Sequence, residues 1–314
     1  MPVDSVAAAL QARPLDLQVN GYGGVDFNQD DLTADDLRRA CDALRADGVG
    51  GILATVITES MEKMCRRLAR LVELCTADRQ CAEMIRGLHI EGPFLSAEPG
   101  YRGAHPPEVM GPAEVDQVKR LLEAGSGWVR VVTLAPERDP GAKATRLLVR
   151  QGVVVSAGHT DASRDQLAES IDQGLSMFTH LGNGCPMTMH RHDNIIQRAL
   201  SFADHLWLCF IADGAHVPFF ALRNYLELAG IDRCIVTTDA VAPAGLGPGR
   251  YTLSRWDLTI GDDLVARAPD GSHLVGSAIN FPRVIENLTG PVGLSSDQAK
   301  LLISQNPRAA VGID

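Results

Sequence analysis

Short apolar runs alternate with longer stretches of helical periodicity along most of the 314-residue chain. Short apolar runs are typical of buried strands, and the stretches between them are typical of amphipathic helices. This alternation predicts successive βα units around a parallel sheet. The predicted strands are eight, at 15–20, 51–58, 85–92, 128–137, 152–159, 175–180, 205–214 and 233–240.

Helices are predicted between these strands. The first begins after Thr33, an N-cap residue type, and ends at Gly48, where a helix commonly stops. Further helices are predicted at 61–76, 113–124, 142–151, 163–173 and 218–229. Beyond the eighth strand, the pattern predicts a hairpin over 250–270 and covering helices over 277–288 and 296–304. Because no linker or repeat interrupts the pattern, we expect one domain over 1–314.

Polar residues at the carboxyl ends of the predicted strands favour a closed barrel over an open doubly wound sheet. Glu91, His159, His180 and Asp239 each fall at such an end. In a closed barrel these ends converge on one mouth, whereas an open sheet spreads them along a wide edge. Convergence would bring the four side chains within reach of a single ion. We therefore predict a (β/α)8 TIM barrel of the α/β class.

Charge and cysteine content narrow the classes of partner and compartment. The formal net charge is −10 with no long basic run, which argues against nucleic acid as a partner. The seven cysteines are scattered without zinc-finger spacing, so most should be reduced core thiols. The opening MPVDSVAAAL is too short and acidic for a signal peptide, and no apolar stretch approaches a membrane span. We expect a cytoplasmic enzyme with a small-molecule substrate and no membrane association.

Glu91, His159 and His180 have the composition of a catalytic metal site. One carboxylate and two imidazoles leave an open coordination position for water. Each lies where an apolar run changes abruptly to polar residues, in HIEGPF, SAGHT and THLGN. A single histidine of this kind is as often a structural hydrogen-bonding group as a metal ligand. Three such side chains together favour one divalent ion, and we expect zinc.

Asp239, in TTDAVAPAG, is the candidate general base, because a carboxylate at this position can take a proton from a metal-bound water. Its alternative role is that of a turn or helix-capping residue beside the glycine and prolines that follow.

Other polar groups are predicted at the same mouth to position a substrate. They are His105, Asn183, Gly184, Arg191 and His216. A guanidinium binds phosphate in a fork, so Arg191 bears most on substrate identity. The alternative for Arg191 is a solvated cluster of loop charges. Backbone N–H groups near Gly184 could also hold phosphate.

The ordered segments LQVNGYGGVDFN, HIEGPF, the GAH segment, TLAPE, SAGHT, THLGN, ADGAH, TTDAVAPAG, LVGSA and NPRAAVGI resemble the N-acetylglucosamine-6-phosphate deacetylases of the amidohydrolase superfamily. The resemblance spans nearly the whole chain. It implies metal-dependent hydrolysis of N-acetylglucosamine 6-phosphate to glucosamine 6-phosphate and acetate, by a homodimer.

The resemblance also implies roles for individual residues. Glu91, His159 and His180 would bind the metal, Asp239 would act as acid and base, and His105 would stabilise the oxyanion. The implied substrate-binding positions are Ala104, His105, Asn183, Gly184, Arg191, His216, Leu274, Val275 and Gly276, with Arg191 and His216 near the phosphate.

Three departures from the family pattern matter. Gln18 and Asn20 stand where many superfamily members carry HxH for a second metal, which favours a mononuclear site. The family's small β-sandwich domain, built from both termini, is expected to be absent or vestigial. The loop 185–194 differs from the usual Gly- and Arg-rich form, so another N-acyl amino sugar is an alternative substrate. Two further alternatives are an amidohydrolase that acts on a cyclic amide and a non-catalytic sugar-binding barrel.

Overall fold

Eight parallel strands, hydrogen-bonded in sequence order, form the centre of the computed structural model, which describes residues 13–253, 256–267 and 274–313. This arrangement confirms the predicted (β/α)8 barrel. The strands are β1 Leu15–Val19, β2 Gly51–Ile57, β3 Ile85–Glu91, β4 Val129–Leu134, β5 Val154–Ala157, β6 Met177–Phe178, β7 Trp207–Ile211 and β8 Cys234–Thr237.

The first and last strands close the barrel. Ala240, just beyond β8, forms a parallel bridge with Val19 of β1, and the Asn20 N–H donates to the Ala240 carbonyl at 2.7 Å. The buried Asp16 carboxylate on β1 accepts hydrogen bonds from the hydroxyls of Thr237 and Thr238 and from the Thr238 N–H. These contacts fix the register of the chain just before Asp239.

Helices follow most strands, close to the predicted bounds. Thr33 caps the first helix as predicted, since its hydroxyl accepts from the Asp36 N–H in a capping box. The α-helices are α1 Ala34–Ala46, α2 Met61–Ala77, α3 Arg79–Met84, α4 Val115–Gly125, α5 Lys143–Arg150, α6 Arg164–Asp172, α7 Ile195–Leu200, α8 Phe219–Ala229, α9 Phe281–Thr289, α10 Ser296–Lys300 and α11 Asn306–Val311. Single 3₁₀ turns lie at Pro107–Val109, Pro136–Arg138 and Ile231–Arg233, and a π turn spans Leu301–Gln305.

The structure differs from the predicted elements in several places. The short helices α3, α7 and α11 were not predicted. The predicted strand 175–180 is hydrogen-bonded as a strand only over Met177–Phe178, because the chain leaves the ladder before His180. The helix predicted over 277–288 begins at Phe281, since Asn280 caps it by accepting from the Arg283 N–H.

A small antiparallel sheet follows β8, where a hairpin was predicted. Its strands are β9 Gly249–Leu253, β10 Trp256–Ile260 and β11 Ala266–Arg267. Residues 254–255 and 268–270 of the predicted hairpin lie outside the described residues. The chain then returns to the barrel, where Ser277 bridges Ala240. Two further short strands, Gly21–Tyr22 and Val25–Asp26, pair directly after β1.

No helix among the described residues is both long enough and apolar enough to cross a bilayer.

We predict that Asp16 makes the stability of the barrel pH-dependent. Burial raises the pKa of Asp16 from 3.8 to about 6, although four hydrogen bonds from Gln18, Thr237 and Thr238 oppose the shift. A pKa raised in the folded state means that this residue's contribution is fully present below pH 3.8 and is lost as the pH rises through about 6. The full shift corresponds to about 3 kcal/mol in the free energy of unfolding, and about 2 kcal/mol of this contribution is lost between pH 4.5 and 8.

The measurement is the free energy of unfolding, by urea, of the wild type and of Asp16→Asn at both pH values. Relative to the wild type, the variant should gain about 2 kcal/mol on going from pH 4.5 to 8. A difference between the two proteins that does not change with pH would contradict the prediction.

Candidate metal centre and active site

The four polar residues predicted at strand ends reach the mouth through a shared local geometry. Glu91 is the last residue of β3, whereas His159, His180 and Asp239 each lie two residues beyond the end of β5, β6 and β8. These last three have positive φ angles of 50°, 34° and 50°. Left-handed backbone is unfavourable for residues other than glycine and is commonly found at functional sites. The turn thus directs three side chains into the mouth at a cost in backbone strain.

Two imidazoles share one carboxylate oxygen. Glu91 Oε1 lies 3.2 Å from His159 Nε2 and 3.0 Å from His180 Nε2. All three side chains are buried. Ligands bound about 2.1 Å from a tetrahedral zinc ion lie roughly 3.4 Å apart, so the observed spacing is close to that of a ligand set around one ion.

The hydrogen bonding of His159 fits a metal ligand. Its Nδ1 lies 2.7 Å from the Tyr101 carbonyl, which can only accept, so Nδ1 carries the proton. In the neutral ring, Nε2 then presents a lone pair to the Glu91 carboxylate. Two electron-rich atoms face each other favourably only if a cation or an added proton lies between them. A histidine that donates its second N–H to a backbone carbonyl is the usual arrangement at metal sites.

His105 is a further candidate ligand. Atoms of Glu91, His105 and His159 all lie within 4.8 Å of one another, close enough for a shared ion. His105 Nε2 lies 3.9 Å from Glu91 Oε2, the oxygen that does not face the other two histidines. Its ring also packs edge-on against that of His159, with centroids 4.5 Å apart. Three imidazoles therefore surround one buried carboxylate.

This surrounding controls the charge of the carboxylate. Burial alone would raise the pKa of Glu91, but hydrogen bonds to His159 and His180 and the nearby His105 hold it well below its usual value. In the same way, burial opposes protonation of His180 while its hydrogen bond and charge interaction with Glu91 raise its pKa. Glu91 is therefore an ionised carboxylate at neutral pH, and the site favours positive charge.

Asp239 lies half-buried at the same mouth, where it lines the cavity. Burial, together with the negative charge of Glu91, raises the pKa of Asp239 from 3.8 to about 7. The Asn20 side-chain amide donates to Asp239 Oδ1 at 2.7 Å. A carboxyl with a pKa near neutrality can both accept and return a proton, which is what a general base that later acts as an acid requires. A bound dication would lower this pKa.

Glycines leave room for the His159 ring. A Cβ on Gly184 would lie 2.8 Å from His159 Nδ1, and one on Gly103 would lie 2.9 Å from its Cε1. Gly184 also has a positive φ of 59°. The ring is thus held by close contact with two backbone segments, so any larger residue at either position would displace it.

Buried polar side chains inside the barrel support the candidate ligands. Gln18 donates to Glu91 Oε2 at 3.2 Å. His89 Nδ1 donates to the Leu17 carbonyl, so its Nε2 accepts from Thr133 at 2.7 Å, and Thr133 in turn accepts from Thr179. Because His89 lies on β3 with Glu91 and Thr179 precedes His180, this chain of hydrogen bonds connects the segments that carry Glu91 and His180 to β1.

A cavity of about 590 Å³ opens above these residues. It contains every predicted site residue except Arg191, which is exposed in the loop 185–194 and lies outside the lining. The predicted residues in its lining are Glu91, Ala104, His105, His159, His180, Asn183, Gly184, His216, Asp239, Leu274, Val275 and Gly276.

Sequence reasoning missed several residues of this cavity. Asp26, Asn28 and Arg267 line it, and Asp213 lies behind it, with Oδ2 at 2.6 Å from His216 Nδ1. Asp213 lies in the ADGAH segment and Asp26 lies in GVDFN, both already noted for their resemblance. Those motifs were the available signal. Nothing in the sequence marked Arg267, because its position depends on the antiparallel sheet after β8.

A closed parallel barrel whose strand ends gather a carboxylate, imidazoles and a further aspartate at one mouth is the architecture of the amidohydrolases, hydrolases that act with a metal ion. The comparisons with known proteins narrow this class. The N-acetylgalactosamine-6-phosphate deacetylase of Escherichia coli O157:H7 is 30% identical over 300 residues, covering 96% of this chain and 77% of that protein. The N-acetylglucosamine-6-phosphate deacetylase of Bos taurus is 30% identical, covering 96% of this chain and 74% of that protein.

Solved structures agree with these relatives. A mutant N-acetyl-D-glucosamine-6-phosphate deacetylase from Mycobacterium smegmatis, in complex with N-acetyl-D-glucosamine-6-phosphate, superposes with a TM-score of 0.86 at 32% identity, covering 96% of this chain and 77% of that one. No protein-family profile matches the chain. The chain belongs to the N-acetylglucosamine-6-phosphate deacetylase family, hydrolases of an amide C–N bond, whose relatives here include enzymes named for the galactosamine epimer.

We predict that His180→Asn lowers zinc affinity by at least about 100-fold, because a nitrogen ligand is replaced by a shorter, weaker one. Zinc bound per chain would be measured by mass spectrometry after dialysis against a competing chelator. The matched control is His205→Asn at an exposed position. Wild-type zinc retention in His180→Asn, with loss in His105→Asn, would instead assign the ligands as Glu91, His105 and His159.

Proposed function

We propose that this chain hydrolyses the acetamide bond of N-acetylglucosamine 6-phosphate, releasing glucosamine 6-phosphate and acetate. The observation that carries the proposal is the convergence of Glu91, His159, His180 and Asp239 on one cavity, in a chain of this family. N-acetylgalactosamine 6-phosphate is the second candidate substrate, since the Escherichia coli relative is named for it.

One divalent ion, Zn²⁺, would be held by Glu91, His159 and His180. These two histidines share an oxygen of Glu91, whereas His105 faces the other oxygen at a longer distance. When bound, such an ion would polarise the amide carbonyl and lower the pKa of water at the site to about 7. Gln18 donates its amide N–H to Glu91 and Asn20 donates to Asp239, so both support the site rather than bind a second ion.

Asp239 would move the proton. As a carboxylate it takes a proton from the attacking water, and as the acid it delivers that proton to the nitrogen of the departing amine. Its hydrogen bond from Asn20 keeps Oδ1 in place, which leaves Oδ2 to face the substrate. Burial raises the pKa of Asp239, so that it can perform both steps near neutral pH.

Two histidines would bind the substrate. His105 lies on the cavity beside Glu91 and would donate to the oxygen of the carbonyl as negative charge develops there, a contribution worth about 3 to 4 kcal/mol in other enzymes. His216 is held by Asp213, which accepts from its ring and from two backbone N–H groups. This anchoring fixes the His216 ring against the cavity for contact with the sugar.

The compartment and the oligomer are further parts of the proposal. All seven cysteines are free thiols, which supports a reducing, cytoplasmic environment. Large apolar side chains are exposed on α8, at Phe220 and Leu228, which supports a homodimer. Light scattering coupled to gel filtration would measure the oligomeric state.

The test is acetate release from a panel of substrates by the zinc-loaded protein. N-acetylglucosamine 6-phosphate should give the highest kcat/KM, with the galactosamine epimer second and both unphosphorylated sugars lower. Turnover of a cyclic amide in place of every amino sugar would assign another amidohydrolase reaction. Sugar binding without acetate release from any substrate would indicate a non-catalytic barrel.

We predict that Asp239→Asn lowers kcat by about 100- to 10,000-fold, because the amide cannot carry the proton. Zinc content should stay at the wild-type level, since Asp239 is not among the proposed ligands. In the wild type, kcat/KM should fall as the pH is lowered through the pKa of Asp239, because only the carboxylate accepts a proton. The residual activity of the variant should lack this acid limb, and an unchanged acid limb would exclude Asp239 as the base.

A further inference from the structure

Arg267 is the one lysine or arginine among the described residues that line the cavity. Arg191, the guanidinium that the sequence singled out, is exposed in the loop 185–194 and does not reach this lining within the chain. A phosphorylated sugar needs a cationic donor at the end of its site, and a guanidinium provides two parallel N–H groups for it.

The backbone delivers Arg267 to the cavity wall. Arg267 ends β11 and forms an antiparallel bridge with Leu274, and the Val275 N–H donates to the Ala266 carbonyl at 3.1 Å. Leu274 and Val275 themselves line the cavity. Side chains alternate along a strand, and here Ala266 packs in the core while Arg267 turns to the rim.

A carboxylate holds the guanidinium in position. Arg267 Nη2 donates to Asp263 Oδ2 at 2.7 Å, while Nη1 donates to Asp263 Oδ1 at 3.1 Å and to the Val265 carbonyl at 3.3 Å. An arginine has five N–H donors, so these contacts leave two, on Nε and Nη2, for a ligand. The side chain remains 40% exposed, which keeps it accessible from the cavity.

Asp213 interacts with both Arg267 and His216. The hydrogen bond to Asp263 raises the pKa of Arg267, and the charge of Asp213 acts in the same sense. Asp213 is the residue that orients His216. Arg267 and His216 both line the cavity, and Asp213 interacts with each of them.

We propose that Arg267 binds the phosphate of the substrate and sets the preference for a phosphorylated sugar, a role that rests on the proposed function. The hairpin that carries Arg267 thus contributes substrate recognition, whereas the strand ends contribute the chemistry.

Steady-state kinetics with N-acetylglucosamine 6-phosphate and with N-acetylglucosamine would test the proposal. Arg267→Met should raise KM for the phosphorylated sugar about 10- to 100-fold, the loss expected for charge-assisted hydrogen bonds. Its kcat, and its kcat/KM for the unphosphorylated sugar, should stay within about twofold of the wild type. Arg267→Lys should recover part of the loss, because lysine keeps the charge without the fork.

The matched control is Arg250→Met, on the same small sheet but exposed and outside the cavity lining. It should behave as the wild type with both sugars. Wild-type KM values in Arg267→Met would overturn the proposal, and loss of the phosphate preference in Arg191→Met would transfer the role to that residue.

A second measurement separates this inference from the proposed function. Inorganic phosphate should raise the Tm of the wild type and of Arg250→Met, but not that of Arg267→Met. If the wild type hydrolyses neither sugar, the proposed function fails while this measurement still decides the role of Arg267. An equal rise of Tm in Arg267→Met would overturn the inference.

Discussion

Closure of the barrel between β1 and β8 is the constraint on which the site depends. The Val19 to Ala240 bridge and the hydrogen bonds of Asp16 to Thr237 and Thr238 hold the two strands together. Asn20 and Asp239 follow directly on these strands and are hydrogen-bonded to each other. An open sheet would separate them by its full width, so the candidate general base depends on closure for its position.

The buried charge of Glu91 organises the rest of the mouth. A carboxylate removed from water needs compensation, and here the compensation comes from the imidazoles that follow β5 and β6 and from the Gln18 amide. The same negative charge contributes to the raised pKa of Asp239. A cation at Glu91 would change the field at Asp239, so the proposed metal binding and the proposed proton transfer would be coupled through one side chain.

The proposed chemistry and the proposed substrate recognition involve different parts of the fold. The candidate ligands and base lie at barrel strand ends, where packing on both sides keeps them rigid. The residues of the outer wall, Leu274, Val275 and Arg267, lie on or beside a small sheet inserted after β8. Such an insertion can change without disturbing the barrel, which is how one barrel chemistry serves different substrates.

The sequence alone determined the number and order of the barrel strands, the position of most helices and the strand-end residues of the site. It could do so because the burial of apolar runs and the capping of α1 by Thr33 are local effects with a regular period. Only the tertiary structure decided which polar groups meet. Contacts between residues far apart in the chain decide the left-handed turns at His159, His180 and Asp239. They also place the His216 and Asp213 pair at the cavity, and they bring Arg267 rather than Arg191 into its lining. Such contacts leave no periodic signal, because they arise from the closure of the sheet and from the path of the chain after β8.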